Sequence, residues 1–203
     1  MKHSLLINDE TCKTFVFLFE DEGMEELKDQ LRSLPANFVL LSVEDWNRDL
    51  SPWPFKLGKM EFAGEAEETA RQLSGIYDEV LQTHHFEKAY IGGYSLAGLF
   101  ALYCEEKFDG VISCSSSLWF KDFVQKFEDR KIDGHMRFYL SLGKREELSR
   151  NQVMQTVGDK TRELYRWLKD NGNDCILEMN EGGHFDQPLE RVLKGIRWIL
   201  GDR

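Results

Sequence analysis

The sequence predicts an α/β fold, a mostly parallel sheet with helices on both faces, and three observations carry that reading. Thr14 to Phe19 (TFVFLF) and Asn37 to Val43 (NFVLLSV) are short, apolar, β-rich runs, the signature of strands buried on both faces. Between them, "GMEELKDQLRSL" places apolar residues at 24, 27, 31 and 34, a helical spacing. The two kinds of segment then alternate to the end of the chain, as parallel strands joined by helical crossovers must.

In order, Gly64 to Thr83 reads as the second helix and Lys88 to Ile91 as the next strand. A helix over about Ala97 to Glu106 follows, then a strand over Phe108 to Cys114 and a helix over Phe120 to Phe127. Met136 to Leu142 is a strand, and the long helix from Val153 ends at Asn171-Gly172, a C-terminal cap signal. Asp174 to Met179 is the last strand and Leu189 to Leu200 the last helix. With 203 residues and no repeat, low-complexity segment or linker, one domain over 1–203 is expected. The exception to the alternation is "EDWNRDLSPWPFKLGKMEFAGEA", residues 44 to 66. An irregular segment this long is usually functional or disordered. This one is too aromatic for disorder, so it should fold over something.

Composition narrows the function. Hydrophobic residues at 41% and aromatics at 12% suffice for a substantial core. A net charge of −10 without a Lys/Arg run argues against nucleic acid or an anionic membrane as partner. No apolar stretch has the length of a membrane span and the N-terminus lacks the shape of a signal peptide, so a cytoplasmic protein is expected. The four cysteines (Cys12, Cys104, Cys114, Cys175) fit no metal-binding spacing and read as reduced structural thiols. No metal or cofactor is expected.

The chemistry concentrates at "YIGGYSLAGLF", residues 90 to 100. An apolar strand meets two glycines, then Ser95, then small residues opening a helix. In an α/β sheet, ligands bind beyond the C-terminal ends of the strands, and Ser95 sits there. Gly93-Tyr94-Ser95-Leu96-Ala97 matches the nucleophile elbow G-x-S-x-G with Ala at the last small position. A glycine-rich turn with no chemistry would look similar, but neither a dinucleotide fingerprint nor a Walker lysine is present. An elbow serine needs a base, and in this fold the order is Ser, acid, His. His184, in "NEGGHFDQP" after the last strand, is placed for that role. His3, His84, His85 and His135 are not. The acid should follow the penultimate strand, where "FYLSLGKREELSRN" offers Glu146 and Glu147. Glu146 has the usual position, with Asp174 and Asp186 as rivals.

Taken in order, "GGYSLAGLFAL", "SCSSSLWF", "YLSLGKREE" and "EGGHF" resemble the esterase branch of the α/β-hydrolase superfamily. That branch includes enterochelin-esterase-like, feruloyl-esterase-like and S-formylglutathione-hydrolase-like proteins. The chain is most similar to short bacterial members carrying "DWNxDLSPW", as residues 45 to 53 do here. The resemblance implies Ser95 as nucleophile, His184 as base and Glu146 as acid. It also implies the Leu96 amide as one oxyanion donor and a second donor near Asp21, where Glu20-Asp21-Glu22 replaces the usual His-Gly or Asp-Gly. Trp53 and Trp119 should lie beside the pocket, with Trp46 in the same aromatic loop. The antiparallel strands that open the sheet of larger relatives should be mostly missing.

The expected function is hydrolysis of a small-molecule carboxylic ester with a small or aromatic acyl group, through an acyl-enzyme. A tri-catecholate siderophore ester is disfavoured, because the loop offers only Arg48, Lys56 and Lys59 for a trianion. Acyl transfer by the same triad and a non-catalytic module on a hydrolase fold are the alternatives.

Overall fold

The computed structural model describes residues 1–20, 25–132 and 134–201. Its main sheet has seven strands in the order β1-β3-β2-β6-β7-β8-β9. These are β1 (Lys2–Leu6), β2 (Thr14–Phe19), β3 (Asn37–Ser42), β6 (Lys88–Tyr94), β7 (Gly110–Cys114), β8 (Arg137–Gly143) and β9 (Asp174–Asn180). β4 (Phe55–Leu57) and β5 (Met60–Phe62) form a separate antiparallel hairpin. All neighbours in the main sheet are parallel except β1, which runs antiparallel to β3 at the edge.

The two apolar strands are buried for the reason their sequences suggest. Phe15, Phe17 and Phe19 face one side of β2 and Val16 and Leu18 the other, and all are essentially inaccessible. Side chains alternate across a strand, so an uninterrupted apolar run needs cover on both faces. One face is covered by α3 (Ala66–His84), α4 (Leu96–Tyr103), α5 (Phe123–Glu128) and α6 (Val157–Asp170). The other is covered by α1 (Glu25–Leu31) and α7 (Pro188–Leu200).

Several boundaries differ from the sequence reading, each for a local reason. β1 escaped it because "KHSLL" is exposed over four of five positions; the backbone ladder to β3, not burial, makes it a strand. α5 starts at Phe123 rather than Phe120, since Asp122 sits in the left-handed region at φ 60°. The segment before α6 is a 3-10 turn over Met154–Thr156. The glycine cap was legible: α6 ends at Asp170, and Gly172, at φ +83°, donates its N–H to the Lys169 carbonyl at 3.0 Å.

The aromatic segment does fold over something. A short helix, α2 (Trp46–Asp49), is capped by Asp45, whose Oδ1 accepts the Arg48 N–H at 3.0 Å. After it the chain enters the β4–β5 hairpin, and Phe62 and Phe55 pack on Phe120 with ring centroids 5.2 and 5.1 Å apart. This brings Asn47, Met60 and Phe62 over the C-terminal end of the parallel sheet, beside Ser95. Among the described residues no helix is long and apolar enough to cross a membrane.

Candidate active site

The strand order reverses between β2 and β6, since β3 lies on one side of β2 and β6 on the other. Ligand sites in α/β sheets form at that crevice. Ser95 follows β6 there with φ 56° and ψ −120°, a conformation that costs on the order of 1–3 kcal/mol for a non-glycine residue. Neighbouring backbone holds the turn: the Ser95 N–H donates to the Cys114 carbonyl at 2.9 Å, and the Ser95 carbonyl accepts the Ser117 N–H at 3.1 Å. The strand must pass very close to the helix it feeds. A Cβ on Gly93 would lie 2.6 Å from the Ala97 carbonyl carbon, which is why the elbow needs glycine there.

Two loops bring the partners. His184 lies between β9 and α7, and Glu146 opens a 3-10 turn directly after β8. Ser95 Oγ and His184 Nε2 are 3.0 Å apart, and His184 Nδ1 and Glu146 Oε2 are 2.8 Å apart. Glu146 Oε1 accepts from the Gly143 N–H at 2.7 Å, Ser115 Oγ at 2.8 Å and Arg191 Nη1 at 3.0 Å. Burial pushes the Glu146 carboxyl up, but the hydrogen bonds from His184, Gly143 and Ser115 outweigh it and hold the group below its ordinary 4.5. Tyr94 OH donates to the His184 carbonyl at 2.6 Å; burial pushes its pKa up to about 12, so it stays a neutral donor.

The rival carboxylates are engaged elsewhere. Glu147 pairs with Arg162 at 2.7 Å, Asp174 with Arg137 at 3.1 Å and Asp186 with Arg145 at 3.0 Å. All four cysteines are free, and burial pushes the Cys114 thiol up to about 12, which leaves it protonated and inert. Among the described residues no group of three or more His, Cys, Asp or Glu side chains could hold a metal ion.

Above Ser95 is a cleft of about 420 Å³ whose walls include Met60, Phe62, Leu96, Trp119, Met154 and Phe185. Trp119 therefore lies where the sequence reading expects a pocket residue. Trp53 does not line the cleft: its ring stacks on Phe123 at 6.2 Å, and Lys126 Nζ sits 4.2 Å above it. Trp46, in the first turn of α2, is likewise not a lining residue. Both belong to the aromatic segment that packs the loop down. Leu96 lines the cleft at the first turn of α4, and Asp21 lies outside the described residues.

Sequence reasoning missed Ser115, the Tyr94 hydroxyl and Arg191. Only Arg191 left a signal, as a charge within the buried stripe of α7 alongside Val192, Gly195, Ile196 and Ile199.

This parallel sheet, with a strained serine turn at its switch point, is the fold of the α/β hydrolases. No protein-family model matches the sequence. A curated relative, the uncharacterized protein YbbA of Bacillus subtilis, is 20% identical over 215 residues, spanning 92% of this chain and 86% of its own. Among solved structures, an IroE-like serine hydrolase from Shewanella oneidensis superposes with a TM-score of 0.81 at 13% identity, over 97% of this chain and 74% of that one. The siderophore hydrolase EstA from Aspergillus nidulans gives a TM-score of 0.70 at 19% identity, over 94% and 83%.

Proposed function

We propose that the protein is a serine hydrolase that cleaves a small, uncharged carboxylic ester through an acyl-enzyme. The observation that carries this is the unbroken relay from Ser95 Oγ through His184 to the buried Glu146 carboxylate, opening into an apolar cleft. In this reading His184 Nε2 takes the Ser95 proton as Oγ attacks the acyl carbon, and the oxyanion is received by backbone N–H groups. Leu96 supplies one of them, because first-turn amides have no intrahelical acceptor and α4 presents its positive end there. The imidazolium then gives its proton to the leaving alcohol. Water attacks the acyl-enzyme in the same manner, His184 again acting as base, and the carboxylic acid is released. Glu146 holds the imidazole in the tautomer with Nε2 free and stabilises the transient cation.

The lining of the cleft supports this substrate class. Its lining combines apolar residues with Ser115, Ser116, Ser117, Ser149 and Asn47, and among the described lining residues there is no Lys or Arg. A polyanionic ester therefore finds no counter-charge, and the siderophore in EstA's name is not carried over to this chain. Trp119 also borders a neighbouring hollow of about 300 Å³ with Phe120 and Val153, so its indole acts as a partition limiting acyl length. p-Nitrophenyl acetate and butyrate should be hydrolysed in preference to a negatively charged succinyl ester. Trp119→Ala should raise the kcat/KM ratio of octanoate to acetate by about 10-fold or more. Failure to hydrolyse any neutral ester, or preference for the charged one, would refute the proposal.

A further inference from the structure

Arg191 is a buried cation that the proposed reaction does not itself use. It stands one turn into α7 and is 1% exposed. Taking a guanidinium out of water is strongly unfavourable unless its donors are paired with good geometry, so what it pairs with is informative. Nη1 donates to Glu146 Oε1 at 3.0 Å, Ser115 Oγ at 2.7 Å and Tyr94 OH at 3.2 Å. Nη2 donates to the carbonyls of Glu181 at 3.1 Å and Gly183 at 2.9 Å. Among the described residues Nε has no hydrogen-bond partner, so the engagement runs through the two tips of the fork.

One tip is therefore on the acid, on Ser115, which also bonds the acid, and on Tyr94, and the other is on the backbone of the loop that carries His184. Tyr94 closes the circuit, taking a hydrogen bond from Nη1 and giving its own to the His184 carbonyl. Space has been left for this arrangement. A Cβ on Gly143 would lie 2.9 Å from both Arg191 Nη2 and Glu146 Oε1.

We infer that Arg191 is a positioning residue for the hydrolysis, its planar fork fixing the Glu146 carboxylate and the His184 loop in one register. The inference rests on the triad reading above. A lysine would keep the charge but, as a single point donor, could not hold both tips' partners. Misplacing a catalytic pair by about 1 Å can cost on the order of 100-fold.

The test compares Arg191→Lys and Arg191→Met with the parent on p-nitrophenyl butyrate, with active sites counted by exhaustive fluorophosphonate titration. Per titrated site, kcat should fall about 10-fold in Arg191→Lys and about 100-fold in Arg191→Met, with KM within about 2-fold of the parent. A role in stability alone would lower the number of titratable sites and leave kcat per site unchanged, and that result in Arg191→Lys would overturn the inference. Should Arg191→Met not fold, Arg191→Lys decides alone. A parent that titrates normally beside an unaffected Arg191→Lys sinks only this inference. A parent that does not titrate sinks the triad reading itself.

Discussion

Ser95→Ala should abolish ester hydrolysis, with kcat reduced on the order of 10⁴-fold or more, while the protein should melt within about 2 °C of the parent. Both halves follow from the elbow. The turn is held by backbone contacts, from the Ser95 N–H to Cys114 and from the Ser117 N–H to the Ser95 carbonyl, and alanine keeps them. The change removes only Oγ, with its contacts to His184 Nε2 and Ser117 Oγ. Neighbouring hydroxyls do not substitute: Ser117 Oγ is 3.4 Å from Ser95 Oγ, but the 3.0 Å contact to the imidazole is made from Ser95. Assays of the purified variant with p-nitrophenyl butyrate, alongside thermal melts, check both parts. Activity within a few-fold of the parent would remove Ser95 from the mechanism.

Glu146→Gln should lower kcat by about two to four orders of magnitude and should also destabilise the fold. An amide facing His184 Nδ1 can present its NH₂ and favour the wrong tautomer. It also leaves Arg191 buried without its counter-charge, a situation that typically costs about 3–5 kcal/mol. The stability gap depends on pH in a defined sense. The folded Glu146 carboxyl is held below 4.5, so its contribution is complete above the unfolded-state value and is lost as pH falls through the folded-state value. The parent's advantage in urea melts should be largest at neutral pH and narrow below about pH 4.5. Glu147→Gln serves as the control. Its partner is the half-buried Arg162, away from His184, and activity should stay within about 2-fold of the parent.

Much of this was readable in the sequence because it rests on strong local rules. The apolar runs of β2 and β3 admit only a doubly covered sheet, and the Gly-x-Ser-x-Ala spacing reflects a steric need that Gly93 against Ala97 makes visible. Ser95, Glu146 and His184 each follow a strand at the same end of the sheet, so chain order already brings the three side chains near one another. What stayed hidden depends on long-range pairing. β1 is an exposed segment that becomes a strand only through β3, and the β4–β5 hairpin forms in a stretch with no period to read. Trp46 and Trp53 carry no mark distinguishing a pocket wall from a loop anchor, and Trp53 is an anchor, on Phe123 and Lys126. Arg191 meets Glu146 across 45 residues of chain, a contact that no local spacing encodes.

Covalent labelling tests Ser95 as the nucleophile. The parent is treated with a fluorophosphonate, digested, and the adduct located by mass spectrometry. Peptide mapping matters because Ser115, Ser116 and Ser117 line the same cleft. One adduct per chain is expected, on Ser95, and none in Ser95→Ala. An adduct on any other serine, or a folded parent that stays unlabelled while a reference serine esterase reacts, would contradict it.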